Sequence, residues 1–211
     1  DPDESYSCAD YVTDARAVID ALNARGVLPI VCGGTGLYLD SLLRGGNFEE
    51  TETDPALRQE LLAFAQTYGN HALHERLTAI DPESAATIHE NNVKRVIRAI
   101  EIYQTTGMTK TEADRRTREI DPPYDATVIG LHYPEREILY GRIDRRVDIM
   151  VEAGLEQEAR DVYHLRHLNS LQTVGYREMF DYFDGTVSRE EAIDLIKRNS
   201  RRYAKRQLSY W

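Results

Sequence analysis

The sequence has 211 residues, 41% of them apolar, and a formal net charge of −10 at pH 7, which allows one substantial core or a core with a smaller lobe. No apolar run approaches the roughly 20 residues of a membrane span, and neither the two cysteines nor the six histidines form a disulfide or metal-binding pattern. We therefore expect a cytoplasmic protein with reduced thiols, no membrane association and no protein-bound metal, and the acidic balance argues against a general binder of polyanions.

The first 45 residues predict half of a doubly wound α/β sheet. Residues 7–25 have apolar side chains at helical spacing, and Gly26 indicates the end of that helix. Residues 28–32, LPIVC, form the short apolar run that is typical of a buried parallel strand, and residues 37–44 continue as a helix. A helix, a strand, a glycine-rich turn and a second helix in this order favour an α/β fold.

The turn itself, Gly33-Gly34-Thr35-Gly36, indicates that something approaches its backbone closely. Backbone N–H groups beside a helix N-terminus attract an anion, and the Thr35 hydroxyl can donate to a phosphate or accept from a substrate amine. A purely structural turn explains the same glycines equally well. The sequence contains no G-K-[ST] motif, so this turn is not the usual nucleotide-phosphate loop.

Residues 54–118 predict a helical insertion with no convincing strand. Asp54-Pro55 and Asp81-Pro82 are each typical of an N-cap followed by proline at the first helical position. Gly69 and Gly107 indicate helix ends.

After the insertion, residues 127–133 predict a strand that returns the chain to the sheet, and helices follow at about 135–167, 174–183 and 188–209. Arg142 and Arg146 share one face of the first of these helices. Like charges at this spacing repel by a few tenths of a kcal/mol, whereas an anion held between two guanidiniums reverses the sign. A solvated face on which Asp144 and Asp148 balance the charge is the alternative.

The last predicted helix carries a concentrated basic face. Ser188 and Glu191 form a capping box at its start, and apolar residues at helical spacing predict one buried side. The opposite half carries six cations with Asp194 as the one nearby acid, namely Lys197, Arg198, Arg201, Arg202, Lys205 and Arg206. Such a stripe on an acidic protein favours nucleic acid as the partner over a merely solvated helix face.

A weaker basic face lies in the insertion and comprises Lys94, Arg95 and Arg98, with Arg115, Arg116 and Arg118 after it. Two basic faces on different lobes suggest a groove that holds a long polyanion. Gln172, Thr173 and Tyr176 can dock a base by hydrogen bonds and stacking, although a core-packing turn fits them equally well.

Four segments, in this order, resemble the tRNA dimethylallyltransferase (tRNA isopentenyltransferase) family across essentially the whole chain. They are LPIVCGGTGLYLDSLL, DPESAATIHENNVKRVIRAIEIY, VGYREMFDYFDG and RRYAKRQLSYW. The early segment SYSCADY is also similar to one found in the family. All four segments together, at family-like spacing, make the resemblance highly specific.

The resemblance implies transfer of a dimethylallyl group from dimethylallyl diphosphate to N6 of the adenosine 3′ to the anticodon, in tRNAs that read U-starting codons, with Mg²⁺ assistance. It implies an α/β fold with a partial P-loop NTPase-like parallel-sheet core, predominantly helical in this chain, and a helical insertion domain. Residues 1–45 and 121–211 would form the core, incomplete at its N-terminus, and residues 46–120 the tRNA-binding insertion. The tRNA anticodon stem-loop would lie between them, and the full-length protein would be a monomer.

Carried over onto this sequence, the resemblance assigns Thr35 to the reaction channel, as a catalytic residue that contacts the target adenosine and the catalytic base. Arg142 and Arg146 would hold the diphosphate of the donor. The residues that it implies contact tRNA are Thr35, Arg58, Lys94, Arg95, Val96, Ile97, Arg98, Gln172, Thr173, Val174, Gly175, Tyr176, Arg177, Lys205, Arg206, Gln207, Leu208, Ser209, Tyr210 and Trp211.

One departure from the family pattern limits the expected activity. The family's P-loop and the aspartate that acts as its general base belong to a segment preceding DPDESYSCADY, and Mg²⁺ would be held mainly by that segment and the diphosphate. We therefore expect a fragment of a transferase that is inactive by itself and associates through exposed sheet edges. Three alternatives stay open: an enzyme that prenylates free adenine nucleotides, a non-catalytic RNA-binding module and a small-molecule kinase.

Overall fold

The structure is a computed structural model that describes residues 2–4, 6–44 and 54–210, and the regular structure in these ranges is helical. The helices of the described residues are α1 Cys8–Ala24, α2 Gly36–Leu43, α3 Pro55–Ile80, α4 Pro82–Thr87, α5 Val93–Thr106, α6 Lys110–Arg118, α7 Arg136–Glu152, α8 Leu155–Val162, α9 Tyr176–Phe183 and α10 Arg189–Tyr210. Short 3₁₀ turns lie at Tyr163–Leu165 and Asn169–Leu171. Within these ranges, no helix combines the length and the apolar composition that crossing a membrane requires.

The chain divides into two compact units. The helical unit comprises residues 8–30 and 37–126, and the terminal unit comprises residues 1–7, 31–36 and 127–211. The predicted division instead placed residues 8–30 and 37–45 with the core, and its boundary at 45/46 lies outside the described residues. The assignment of a catalytic core and a tRNA-binding insertion therefore stays a prediction.

In the helical unit, α3 and α5 pack their apolar faces around a core that includes Leu61, Leu73, Leu77, Val96 and Ile100. The predicted N-caps are confirmed, and they explain where two of these helices begin. The Asp54 side chain accepts hydrogen bonds of 3.0 Å from the N–H groups of Ala56 and Leu57. The Asp81 side chain accepts one of 3.0 Å from the N–H of Ser84. Each cap satisfies backbone donors that the first helical turn leaves unpaired.

The two glycines predicted to end helices behave differently. Gly107 ends α5 in the left-handed conformation, with φ 74°, and donates its N–H to Tyr103 O at 2.8 Å. Gly69 has φ 91° and kinks α3, whose helical course resumes directly after it. The prediction of a helix end is confirmed at Gly107. At Gly69 the helical backbone is interrupted as predicted, and a second helical segment follows at once, with Leu73 and Leu77 in the same core as Leu61.

Helices α1 and α2, both predicted from the sequence, pack together around a second small core in the helical unit. Val12, Ile19 and Leu42 are buried together, and the rings of Tyr11 and Tyr38 stack with their centroids 4.9 Å apart. This cluster gives both helices a packed face.

In the terminal unit, α7, α8, α9 and α10 surround a core that includes Val147, Met179, Phe180 and Ile196. The predicted capping box is confirmed, because Ser188 N–H donates to Glu191 Oε2 at 2.8 Å and Glu191 N–H donates to Ser188 Oγ at 3.2 Å. The predicted helix at 135–167 is two helices and a 3₁₀ turn, since Gly154 adopts φ 107° between α7 and α8.

The strands predicted at 28–32 and 127–133 do not form in the described part of the chain. Leu28, Ile30, Ile129 and Leu131 are instead 80–89% exposed, and Cys32, expected to be buried, is exposed. A strand is held by backbone hydrogen bonds to a neighbouring strand, and the described residues offer no such neighbour to either segment. The predicted parallel sheet is therefore not seen in these residues.

Candidate functional site

The glycine turn of the terminal unit lies directly against the C-terminal half of α10. A Cβ atom added to Gly34 would stand 2.2 Å from Gln207 Nε2, and one added to Gly36 would stand 2.3 Å from Tyr210 Cδ1. Both distances are below van der Waals contact, so a side chain at either position would require Gln207 or Tyr210 of α10 to move. The close approach expected from the sequence is confirmed, and the group that approaches is part of the chain itself.

Thr35 projects from this turn toward α10. Its Oγ1 lies 3.4 Å from the hydroxyl of Tyr203, and both residues are exposed, Tyr203 at 44%. The guanidinium of Arg206 lies 5.7 Å from the centroid of the Tyr203 ring. The structure thus brings the predicted catalytic residue together with Tyr203, which is not among the predicted tRNA-contacting residues, and it leaves the Thr35 side chain exposed.

Two of the six cations on α10 are paired with α7, which corrects the prediction that the stripe faces Asp194 alone. Arg201 donates to Asp144, and Lys197 Nζ lies 2.5 Å from Asp148 Oδ1. The sequence did not indicate this, because the two aspartates belong to a helix about fifty residues earlier in the chain. Lys197 and Arg201 therefore help to dock α7 on α10.

The remaining cations of the stripe form an exposed row. Arg198, Arg202, Lys205 and Arg206 lie at positions i, i+4, i+7 and i+8 of α10, and in the described part of the chain none of them forms an ion pair. This spacing places all four on one side of the helix. The row is the basic surface of α10 that is available to a polyanion.

The pairing of α7 with α10 also bears on Arg142 and Arg146. Asp144 and Asp148 pair with Arg201 and Lys197 of α10 rather than with these arginines. Arg142 and Arg146 are exposed without an ion pair in the described residues. The Arg142 guanidinium lies 5.5 Å from the centroid of the Tyr133 ring. No hydrogen bond within the described ranges joins Thr35 to either arginine.

The predicted docking turn at 172–177 is largely a packing element. Gly175 adopts φ 110°, and its N–H donates to the buried Glu178 carboxylate at 2.8 Å, which also accepts from Asn199 Nδ2 of α10 at 2.7 Å. The Tyr176 ring stacks on Phe180 and its hydroxyl donates to Glu158. These contacts favour the core-packing alternative for Tyr176, and they leave the polar residues Gln172, Thr173 and Arg177 exposed.

The predicted tRNA contacts of the helical unit divide into surface and core residues. Lys94 and Arg95 are exposed, whereas Val96 and Ile97 are 0% and 7% exposed in the core between α3 and α5. In residues 94–97, only the side chains of Lys94 and Arg95 are therefore accessible to RNA. Arg115 and Arg118 of α6 are also exposed. Trp211 lies outside the described residues.

Arg58 and Arg98 meet at a buried carboxylate, Glu101, which the sequence analysis did not single out. Arg58 donates from Nε to Oε1 at 2.8 Å and from Nη2 to Oε2 at 2.9 Å, and Arg98 donates from Nη1 to Oε2 at 2.6 Å. The Asp54 N–H donates to Oε1 at 3.0 Å. One signal was present in the sequence, because Glu101 follows Ile97 by four residues and so lies on the apolar face of α5.

Glu101 stays ionised although its side chain is 0% exposed. Burial by itself raises the pKa of a carboxyl group, but the hydrogen bonds from Arg58, Arg98 and the Asp54 N–H outweigh it, so the pKa of Glu101 lies below its ordinary value. The result is a charged cluster in which two guanidiniums share one carboxylate.

The described residues do not supply a metal site of their own. No group of three or more His, Cys, Asp or Glu side chains in residues 2–4, 6–44 and 54–210 is arranged to hold a metal ion. The described side chains therefore would not hold a Mg²⁺ ion by themselves.

Comparisons with known proteins identify the family. The family model for IPP transferases matches residues 1–211. The chain belongs to the IPP transferase family. It is 50% identical to the tRNA dimethylallyltransferase of Halalkalibacterium halodurans, over all of this chain and 68% of that protein. It is 45% identical to the tRNA dimethylallyltransferase of Bacillus pumilus, over all of this chain and 66% of that protein. These relatives are transferases by name, and the chain spans about two thirds of their length.

Solved structures of relatives are similar to this chain. The full-length tRNA isopentenylpyrophosphate transferase of Bacillus halodurans is 48% identical with a TM-score of 0.65, covering all of this chain and 65% of that one. A eukaryotic dimethylallyltransferase acting on tRNA is 29% identical with a TM-score of 0.80, covering all of this chain and 54% of that one. The structural neighbours of the described residues are thus tRNA isopentenyltransferases.

Proposed function

We propose that the protein containing this chain transfers a dimethylallyl group from dimethylallyl diphosphate to N6 of the adenosine 3′ to the anticodon, in tRNAs that read U-starting codons. In this reaction the C–O bond of the donor breaks, pyrophosphate leaves with the electron pair, a C–N bond forms and the amine loses one proton. The observation that carries the proposal is the meeting of the glycine turn with the basic helix α10, which puts the exposed Thr35 hydroxyl beside Tyr203 and Gly34 beside Gln207.

Each part of the terminal unit then has a proposed role. The Thr35 hydroxyl oxygen accepts a hydrogen bond from one N–H group of the N6 amine and so orients it, and Arg142 and Arg146 bind the donor diphosphate. The exposed cations Arg198, Arg202, Lys205 and Arg206 bind the phosphate backbone of tRNA and offset the cost of unstacking the target base, a few kcal/mol. Mg²⁺ would be held mainly by the diphosphate and by residues outside these 211, and it would neutralise the charge of the diphosphate. We propose that the enzyme works in the cytoplasm, where its tRNA acceptor is found.

We further propose that the full catalytic core is a parallel-sheet, P-loop-like fold to which residues outside these 211 contribute. The phosphate loop and the general base implied by the resemblance are not among the 211 residues, so these residues alone are expected to bind tRNA without transferring the dimethylallyl group. The exposed apolar side chains at 28–31 and 127–131 support this proposal, since they match strands that lack partners.

The test is transfer from radiolabelled dimethylallyl diphosphate by the full-length protein, with unmodified tRNA and with AMP as alternative acceptors. We expect label in tRNA at the adenosine next to the anticodon and none in AMP. Label in AMP alone would identify an enzyme acting on free nucleotides. Binding of tRNA with no transfer to either acceptor would leave a non-catalytic RNA-binding module and overturn the proposal.

A further inference from the structure

Three side chains on one face of α10 meet the glycine turn at three successive positions. Tyr203, Gln207 and Tyr210 are spaced i, i+4 and i+7, which places them on the same side of the helix. Gln207 and Tyr210 lie against the two glycines that flank Thr35, so close that a Cβ atom on these glycines would stand 2.2 Å and 2.3 Å from them. Tyr203 meets Thr35 itself, with 3.4 Å between the two hydroxyl oxygens. The turn is thus seated on α10 at each residue from 34 to 36.

The contact between Thr35 and Tyr203 joins two hydroxyl groups. In the described part of the chain, neither of them forms a second hydrogen bond. Thr35 directly precedes α2, and at this position a threonine hydroxyl ordinarily accepts from an N–H group of the first helical turn. Among the described residues it contacts Tyr203 instead. Helix α10 therefore directs the Thr35 hydroxyl, which is not used to cap α2.

The chemistry of the two groups determines which one donates, since the geometry allows either. A phenol is a stronger acid than an aliphatic alcohol, so the Tyr203 O–H is the better donor and the Thr35 oxygen the better acceptor. A threonine hydroxyl has two acceptor positions and one proton. When Tyr203 occupies one acceptor position, the second one is available to an N–H group of a substrate amine. A separation of 3.4 Å is long for two hydroxyls, and hydrogen bonds of catalytic groups often shorten when substrate binds.

Tyr203 lies on a more rigid element than Thr35 does. It belongs to a 22-residue helix that contributes Ile193 and Ile196 to the core of the terminal unit. The Arg206 guanidinium lies 5.7 Å from the centroid of the Tyr203 ring, within the range of a cation–π contact. Thr35 is exposed in a turn, where its side chain can rotate between staggered positions unless a partner selects one. A hydrogen bond from the helix supplies that selection.

We propose that Tyr203 is a positioning residue that donates a hydrogen bond to the Thr35 hydroxyl and holds the free acceptor position of that hydroxyl toward the reacting amine. The proposed function supplies this amine, so the inference rests on it. Tyr203 does not touch the amine and takes no proton from it. Its effect on transfer is exerted through Thr35 alone.

The experiment measures the single-turnover rate of dimethylallyl transfer to unmodified tRNA by the full-length protein, at saturating tRNA and donor. Tyr203→Phe removes the hydrogen-bond donor and keeps the aromatic ring. We expect the rate to fall about fivefold, which corresponds to the net effect of one hydrogen bond, with the Kd for tRNA and the unfolding temperature unchanged. A rate equal to that of the unaltered protein would overturn the inference.

Combination with Thr35→Val tests whether Tyr203 acts through Thr35. Valine offers no acceptor, so Tyr203→Phe should cause no further loss in that background, and the double variant should transfer at the rate of Thr35→Val. In a Thr35→Ser background, which retains a hydroxyl, Tyr203→Phe should again cause a loss of about fivefold. Losses that multiply in the double variant with valine would overturn the inference, because Tyr203 would then act independently of Thr35, for example by stacking on a base.

Tyr163→Phe is the matched control, because Tyr163 is a tyrosine of the same unit whose hydroxyl donates to Asp184 rather than to the turn. We expect it to transfer at the rate of the unaltered protein, and an equal loss in this variant would contradict a specific role for Tyr203. Failure of the unaltered protein to transfer to tRNA would overturn the proposed function and the inference together. Equal rates in the unaltered protein and in Tyr203→Phe would overturn the inference alone.

Discussion

Asp81 shows how a single residue can stabilise two helices at once. It is 3% exposed, and its carboxylate accepts from the Ser84 N–H at 3.0 Å, from the Thr111 N–H at 2.9 Å and from the Thr111 hydroxyl at 2.6 Å. The carboxylate therefore caps α4 and also binds the start of α6. Burial acts to raise the pKa of Asp81, but these hydrogen bonds outweigh burial and lower the pKa to about 2, from an ordinary value of 3.8.

This pKa predicts how the stability of the protein depends on pH. Because the folded pKa is the lower one, Asp81 contributes its stability fully above about pH 4 and loses it as the pH falls toward 2. We expect Asp81→Asn to lower the free energy of unfolding by about 2 kcal/mol at pH 7 and to flatten its decline between pH 4 and 2. Urea unfolding followed by circular dichroism at pH 7, 4 and 3 measures both effects.

Glu83→Gln is the control for that prediction, because Glu83 lies on the same helix α4 and is exposed. We expect it to change the unfolding free energy by no more than about 0.5 kcal/mol at any of these pH values. The account of Asp81 is contradicted if Asp81→Asn retains the acid sensitivity of the unaltered protein.

Helices were predictable from the sequence because their determinants are local. Asp54-Pro55, Asp81-Pro82 and Ser188 with Glu191 each start a helix within a few residues of the signal that indicates it. The strands predicted at 28–32 and 127–133 are not seen in the described residues, since a strand depends on hydrogen bonds to a partner strand rather than on local signals. The break at Gly154 was missed because a glycine inside an apolar periodic segment is compatible with a continuous helix.

Helix α10 combines cations with two different roles, and substitution can separate them. Arg202 and Lys205 are exposed without ion pairs in the described residues, so replacing both by alanine should weaken tRNA binding about tenfold. The slope of log Kd against log salt should fall by about 2, because two phosphate contacts are lost. The unfolding temperature should not change. Filter binding at several salt concentrations, together with thermal unfolding, measures these quantities.

The matched variant replaces Lys197 and Arg201, which pair with Asp148 and Asp144 of α7. Alanine at both positions should lower the unfolding free energy by about 1 kcal/mol, since these pairs are partly exposed, and should change the salt slope much less. An equal decrease of the salt slope in the two double variants would contradict this account, because the cations paired with α7 would then bind tRNA as well as the unpaired cations do.

At the scale of the whole molecule, the sequence and its family resemblance named candidate site residues but not their contacts. Thr35 and Tyr203 are 168 positions apart, and Arg58 and Glu101 are 43 apart. Pairings at such distances have no local signal, because spacing rules apply only within one helix or strand. The glycines at 34 and 36 did predict a close approach, and only the structure identified Gln207 and Tyr210 as the approaching groups.

The central claim is that dimethylallyl transfer takes place at the glycine turn, with Thr35 orienting the reacting amine. The most direct measurement is the single-turnover rate of transfer to unmodified tRNA by the full-length protein and by its Thr35→Val variant, at saturating tRNA. Gly33→Ala is the control, because a Cβ at Gly33 meets no atom within 4 Å. The account predicts transfer at an unchanged rate in Gly33→Ala and a loss of about 10²-fold in Thr35→Val, with the Kd for tRNA unaltered. A Thr35→Val variant that transfers at the rate of the unaltered protein would contradict it.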